Sequence, residues 1–232
     1  MRKYNQYYFA FLDLLGFKET VKSRSCEEIA EIFDEAKKEY TIRKGVGEDK
    51  WVNVISPEDI HYYIMSDSIC IFIKCDIKAA LTVLTWLCLH LQIRLLSLQE
   101  PVFVRGSISS GALYADNNIL FGPAMVEAYN RAEKLALYPR IIIPQPLIEA
   151  VDDIDEKHFL NISTFLEQEG FYSIKYIEYF FLHLSTDEAK ERVISNINQI
   201  LDNSLDKSVR EKYLYVKYWI DVSLNSNRSG EV

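Results

Sequence analysis

The 232-residue sequence predicts an α+β fold. One mainly antiparallel, ferredoxin-like or palm-type sheet carries helices on one face, with further helices at the C-terminus. Three observations point to it. Segments that read as strand or helix follow the order βαββαββαβ before a helical tail. The strand segments are short, aromatic and apolar, with Gly, Asn, Asp or Ser clusters at their ends. The helical segments carry apolar residues at i, i+3 and i+4.

Residues 6–13 are apolar enough for a buried strand. Ser25 and Glu28 have the spacing of a capping box, and Ile29, Ile32, Phe33 and Ala36 form an apolar stripe. A helix is therefore expected over 25–44, ended by Gly45 and Gly47, with a loop over 47–58. Residues 59–66 and 68–74 read as a hairpin turning at Asp67. Ile77 to Gln99 reads as a long buried helix stopped before Pro101. Val102 to Ser109 is the next strand, and Gly111 to Tyr114 leads into another. Asp116, Asn117 and Asn118 signal a turn. A helix is expected from Pro123 to Leu137 and a short strand from Arg140 to Ile143. Ser185–Leu201 and Asp206–Leu224 read as two more helices, with 225–232 frayed. The organisation expected is a main domain over 1–180 and a helical extension over 181–232.

Composition narrows the function classes. Hydrophobic residues make up 49% of the chain, enough for a sizeable core. A net charge of −8 argues against a nucleic-acid partner. Free nucleotides remain open, because a local metal site overrides the overall charge. Cys26, Cys70, Cys75 and Cys88 form no CxxC pair and read as free thiols of a cytoplasmic protein. No signal peptide is apparent. The apolar run Ala79–Leu98 contains His90, Gln92 and Arg94, which are costly at bilayer depth, so a buried core helix is preferred to a membrane span. The four histidines share no zinc spacing, and no nucleophile elbow is present. Residues Asp152 to Glu156 read as a solvated acidic turn. The tail aromatics Tyr213, Tyr215, Tyr218 and Trp219 read as packing or dimer contacts.

Two strands each carry one carboxylate in an otherwise apolar setting: Asp13 in Phe9–Phe17 and Asp67 in Tyr62–Ile71. A buried acid is costly unless something pairs with it. Two such acids on neighbouring strands suit divalent metal ions, and two metals suit phosphoryl transfer. Plainer readings stand beside this one. Asp13 caps the following turn, Asp67 is an ordinary hairpin aspartate, Tyr63 is a half-buried sheet tyrosine, and Arg105 is an ion-pair partner.

These stretches resemble class III nucleotidyl cyclase catalytic domains, most closely the Pycsar pyrimidine cyclases of bacterial antiphage defence. The likeness covers about residues 6–145. Phe11-Leu12-Asp13-Leu14-Leu15-Gly16-Phe17 is similar to the cyclase pattern F-x-D-[IL]-x-G-F, and Ser66-Asp67 stands where cyclases carry Gly-Asp. Val104-Arg105-Gly106-Ser107-Ile108-Ser109-Ser110-Gly111 is similar to V-R-x-G-I-x-x-G. Gly122 to Tyr129, then Tyr138-Pro139-Arg140-Ile141, resembles the Pycsar subgroup. The family's Asn and Arg, four and eight residues after its glycine, fall on Val126 and Asn130. A shifted register over Asn130-Arg131-Ala132-Glu133-Lys134-Leu135 places Lys134 at the arginine.

The resemblance implies cyclisation of a nucleoside triphosphate, UTP or alternatively CTP, to a 3′,5′-cyclic nucleotide that serves as an antiphage messenger. It implies two divalent metal ions, Mn²⁺ or Mg²⁺, held by Asp13, Asp67 and the carbonyl of Leu14. Gly16 and Phe17 would open a phosphate-binding helix. Asn130, Arg131, Lys134 and Arg140 are the candidates to meet the transition-state charge. Tyr63 stands four residues before the hairpin Asp, at the base-reading position. The family further implies a homodimer with composite sites: Asp13 and Asp67 from one chain, Tyr63 and the Gly122 helix from the other. A catalytically dead nucleotide sensor is the second class. A diguanylate synthase would need a GG[DE]EF motif, which is absent.

Overall fold

The computed structural model describes residues 3–37, 55–116, 119–167, 170–203 and 206–229. In chain order the elements are β1 (Asn5–Leu14), α1 (Phe17–Ser23), α2 (Cys26–Lys37), β2 (His61–Met65), β3 (Ser68–Lys74) and α3 (Ala80–Ser97). Next come β4 (Val104–Ala115), β5 (Leu120–Phe121), α4 (Pro123–Lys134), β6 (Ile141–Pro144), α5 (Gln145–Glu149) and α6 (Ile154–Ser163). The chain finishes with β7 (Thr164–Leu166), β8 (Phe171–Ile174), α7 (Tyr176–Tyr179), a π-helical turn (Phe180–Leu184), α8 (Asp187–Asn203) and α9 (Lys207–Ser229).

The sheet runs β2-β3-β1-β4-β6-β8-β7, and β5 pairs with β4. Every pairing is antiparallel except β4 with β6. β1 is central, which is why its sequence is apolar on both faces. Ala10, Leu12 and Leu14 point into the larger core with α3. Tyr7, Phe9 and Phe11 point to the other face, where Ala124, Ala128 and Ala132 of α4 pack closely because their side chains are small. The α+β, mainly antiparallel expectation therefore holds. Helices do not all share one face, however: α4 packs on the side opposite α3.

α3 is the core helix, and even its Thr82, Thr85 and Gln92 are buried. Each finds a partner, Thr85 Oγ1 donating to Leu81 O at 2.8 Å and Gln92 Nε2 to Val104 O at 3.2 Å. It is long and apolar enough to cross a membrane, but 78% of it is buried inside the protein. The capping box of α2 forms as expected. Ser25 N donates to Glu28 Oε2 at 2.7 Å, and Glu28 N to Ser25 Oγ at 3.3 Å.

Several boundaries differ from expectation. α3 begins at Ala80 rather than Ile77, and α4 ends at Lys134 rather than Leu137. The strand expected to break before Gly111 runs unbroken to Ala115, because Gly111 and Ala112 keep pairing with Tyr7 and Gln6 of β1. Residues 38–44 of the expected α2 and 47–54 of the loop lie outside the described residues, as do Asn117 and Asn118. Asp116 Oδ1 does accept from Ile119 N at 2.9 Å, as the turn requires.

The acidic stretch 152–156 is a helix start and not a solvated turn. Asp153 caps α6 by accepting from Asp155 N and Glu156 N. Glu156 is buried and accepts from Thr82 Oγ1 at 2.9 Å. The tail helices share the main core through Val193, Ile197, Leu201, Val216 and Ile220. The four cysteines are free, with Cys70 and Cys88 buried.

Candidate functional site

The C-terminal end of β1 and the tip of the β2–β3 hairpin meet at one end of the sheet. In the ladder, Asp13 lies opposite Ser68 on one side and Arg105 on the other. Ser66 takes a left-handed conformation, φ 56°, which lets the hairpin turn tightly at Ser66-Asp67. Leu14 N donates to Asp67 O at 2.9 Å and pins that turn against the end of β1. The two carboxylate-bearing residues are thus brought together by backbone, before any ligand is considered.

The Asp13 side chain is 17% exposed. Burial pushes its carboxyl above the ordinary range. The hydrogen bond and charge of Arg105 act against this, while the nearby charges of Asp67 and Glu133 add to it. Arg105 Nε donates to Asp13 Oδ2 at 2.7 Å, and its NH2 arm pairs with Glu133 on α4. The expected ion-pair role of Arg105 is therefore borne out, with Asp13 as its partner. Close strand approach makes this possible: at Gly106 a Cβ would sit 2.3 Å from Phe11 O, so only glycine fits beside the pair.

Beyond Asp13 the chain turns. Leu15 N donates to Phe103 O at 2.9 Å. Gly16 adopts φ 76°, a conformation that a side chain would strain, and α1 starts at Phe17. Phe17 is half-buried, edge-on to Phe33 at 5.6 Å. Tyr63 lies on β2 opposite Cys70 and packs against the α4-side core.

The basic candidates separate. Arg131 NH1 donates to Ile108 O at 3.1 Å, its NH2 pairs with Glu127, and its guanidinium lies 6.0 Å from the Phe171 ring centre. Arg140 is buried, pairs with Glu167 and donates to Leu135 O at 2.8 Å. Asn130 and Lys134 stand exposed on α4. The structure thus gathers Asp13, Leu14, Asp67, Gly16 and Phe17. It adds Glu133, which sequence reasoning missed, and ties Arg131 and Arg140 into other contacts. The available signal for Glu133 was its place one turn from Asn130 on a helix expected to face the sheet.

Does this end of the sheet suit divalent ions? Among the described residues no three His, Cys, Asp or Glu side chains cluster to form an all-protein metal cage. Asp13, Asp67 and Glu133 outnumber Arg105, so the local charge is negative and attracts a cation. The donor set fits ions that a nucleotide helps to hold.

No protein-family model matches the chain, and no curated protein sequence does. Among solved structures it is similar to the adenylyl cyclase CyaB from P. aeruginosa, with 11% identity, TM-score 0.45, and coverage of 75% of this chain and 95% of that one. It is also similar to the catalytic core of a rhodopsin-guanylyl cyclase with converted specificity in complex with ATPαS, with 12% identity, TM-score 0.49, and coverage of 75% and 96%. A bacterial light-regulated adenylyl cyclase aligns at 11% identity and TM-score 0.39, covering 85% and 98%. Likenesses at this level assign no residue and no substrate.

Proposed function

We propose that the chain is a nucleotide cyclase that converts UTP to 3′,5′-cyclic UMP and pyrophosphate. The carrying observation is the pinned pair: Asp13 at the end of β1 and Asp67 in the β2–β3 turn, joined by the Leu14–Asp67 backbone bond next to a glycine-initiated helix. In the reaction the ribose 3′-hydroxyl gives up its proton to solvent, its oxygen bonds to the α-phosphorus, the bond from that phosphorus to the bridging oxygen breaks, and pyrophosphate leaves with the electron pair. Divalent ions, Mn²⁺ or Mg²⁺, lower the hydroxyl pKa and neutralise phosphate charge when bound. Asp13, Asp67 and the Leu14 carbonyl are the residues to hold them. The start of α1, at Gly16 and Phe17, faces phosphate.

Of the basic candidates we assign Lys134 to the α-phosphate, because Arg131 and Arg140 are engaged in contacts within the fold. Asn130 accompanies it. Tyr63 reads the base edge. The sites are composite in a homodimer, α4 and Tyr63 serving the partner. Met65, Val126 and Tyr129, at 62%, 58% and 48% exposure around the hairpin and α4, support a face that a second copy covers. The pyrimidine preference and the messenger role rest on the sequence resemblance, and cytidylate cyclisation is the alternative. Four free thiols fit a cytoplasmic setting.

The test is incubation with each of the four nucleoside triphosphates and Mn²⁺ or Mg²⁺, followed by mass analysis. Cyclic UMP with stoichiometric pyrophosphate is expected. No pyrophosphate from any triphosphate would favour the second reading, a nucleotide sensor, which the engagement of Arg131 and Arg140 within the fold supports.

A further inference from the structure

Arg105 is placed to do two things to Asp13 at once. Its fork fixes one carboxylate oxygen, Oδ2, through Nε at 2.7 Å. Its positive charge also competes with any cation that Asp13 would hold. The second arm of the same guanidinium reaches Glu133. Arg105 and Asp13 are 15% and 17% exposed, so their interaction is poorly screened, whereas Glu133 is 42% exposed and faces solvent. Without Glu133, Arg105 would cancel Asp13 and leave a dication a single negative charge, that of Asp67. Glu133 offsets Arg105 and restores two.

We propose that Arg105 and Glu133 form a counter-charge pair that sets the divalent-cation affinity of the Asp13–Asp67 end of the sheet, with Arg105 the positioning residue for Asp13. This rests on the reading of Asp13 and Asp67 as metal ligands. The geometry is specific to arginine, because only a planar fork engages Asp13 through Nε while its other arm holds Glu133. The arrangement also ties α4 to the metal-holding strand, since Glu133 belongs to α4 and Asp13 to β1.

A bridge with a purely structural role and a counter-charge pair make different demands. If the bridge only held α4 to the sheet, breaking it from either side would loosen the site, and metal affinity would fall or stay unchanged in both variants. A counter-charge pair gives opposite signs. Glu133→Gln leaves Arg105 unopposed and weakens binding, while Arg105→Gln removes the competing charge and tightens it.

The experiment is a Mn²⁺ titration of the full chain without nucleotide, read by the electron paramagnetic resonance of free Mn²⁺. Glu133→Gln is expected to raise Kd about three- to tenfold, and Arg105→Gln to lower it by a similar factor, as single charges at short range in a half-buried site do. Arg105→Lys keeps the charge and loses the fork. It is expected to hold Kd near wild type while lowering kcat, with KM for the triphosphate unchanged. Shifts of the same sign in Glu133→Gln and Arg105→Gln, or no shift in either, overturn the proposal. Should Arg105→Gln fail to fold, Glu133→Gln on the more exposed partner decides alone, and an unaltered Kd overturns it. Mn²⁺ uptake by wild type that Asp13→Asn does not reduce overturns the metal-ligand reading itself, and this inference with it.

Discussion

Tyr138 lies flat on Tyr215, ring centres 4.9 Å apart and planes 8° from parallel. The contact joins the loop between α4 and β6 to the C-terminal helix α9. Beside it, Tyr213 meets Phe103 edge-on at 5.3 Å, and Trp219 packs on Phe165 at 4.7 Å. Phe103 in turn gives its carbonyl to Leu15 N, in the turn that follows Asp13. The aromatic face of α9 therefore stands behind the candidate site, one side chain removed from its backbone.

Removing this support should cost stability. Tyr215→Ala is expected to lose about 2–4 kcal/mol, since a large, mostly buried ring leaves a cavity. Tyr218, 61% exposed on the same helix, is the control. Tyr218→Ala should stay within about 0.5 kcal/mol of wild type. Urea unfolding of both variants checks this, and equal losses would mean that α9 does not pack on the core as described.

The buried carboxylate of Glu156 makes a sharper test. Thr82 Oγ1 donates to it at 2.9 Å from the first turn of α3. Thr82→Val preserves shape and removes the donor. Leaving a buried acceptor without this bond should cost about 1–3 kcal/mol. Adding Glu156→Gln to Thr82→Val should recover part of the loss, because an amide is cheaper to bury than a carboxylate. Thermal unfolding of the single and double variants reports the sign.

Much of the fold was legible in the sequence, for identifiable reasons. β1 announced itself through an apolar run that only a central strand needs, and α2 through a capping box that forms as spelled. The segment 145–184 was opaque. Its elements are three to ten residues long, and Glu156 looked like part of an acidic turn because its donor is 74 positions away. The site divides the same way. Asp13 and Asp67 stood out as acids in apolar strands. Glu133 did not, because its link to Asp13 runs through Arg105, and a register between strands cannot be read from one strand alone.

Stability at acid pH should depend on His90. Burial, helped by the charge of Arg94, pushes its pKa down to about 4 from the ordinary 6.5. The unfolded chain binds the proton more tightly, so stability falls as pH drops from about 6.5 toward about 4. The full penalty is on the order of 3 kcal/mol. His90→Phe retains a ring against Trp86, 4.1 Å away in wild type. It should flatten the pH dependence of the urea midpoint in this window, whatever its offset. Parallel curves for the two proteins would refute the assignment.

Asp13→Asn should abolish turnover without unfolding the chain. The Asp13 carboxyl sits above its ordinary 3.8, chiefly through burial. The folded state therefore binds this proton more tightly than the unfolded state, and stability from this group declines as pH rises through the window just above 3.8. At neutral pH the neutral amide escapes that penalty, and metal-free Tm should hold or rise. Asp67→Asn should likewise abolish turnover. Product formation at wild-type rates by either variant would remove the two carboxylates from the chemistry.

Tyr63 should govern base choice more than rate. It is half-buried on the edge strand β2, four residues before Asp67, with its ring against the α4-side core. A phenol there can donate to or accept from a pyrimidine edge, and its bulk keeps a larger purine from seating. Tyr63→Phe removes the hydroxyl and keeps the bulk, while Tyr63→Ala removes both. Losing a hydrogen bond to the base should cost about 1–3 kcal/mol in discrimination. Tyr63→Phe is thus expected to lower kcat/KM for UTP several-fold while still excluding ATP. Tyr63→Ala should lower it and also narrow the gap to ATP. Competition among the four triphosphates, with products resolved by mass, separates the two effects. A pyrimidine-to-purine ratio equal to wild type in both variants would leave Tyr63 as a sheet residue and place base reading elsewhere.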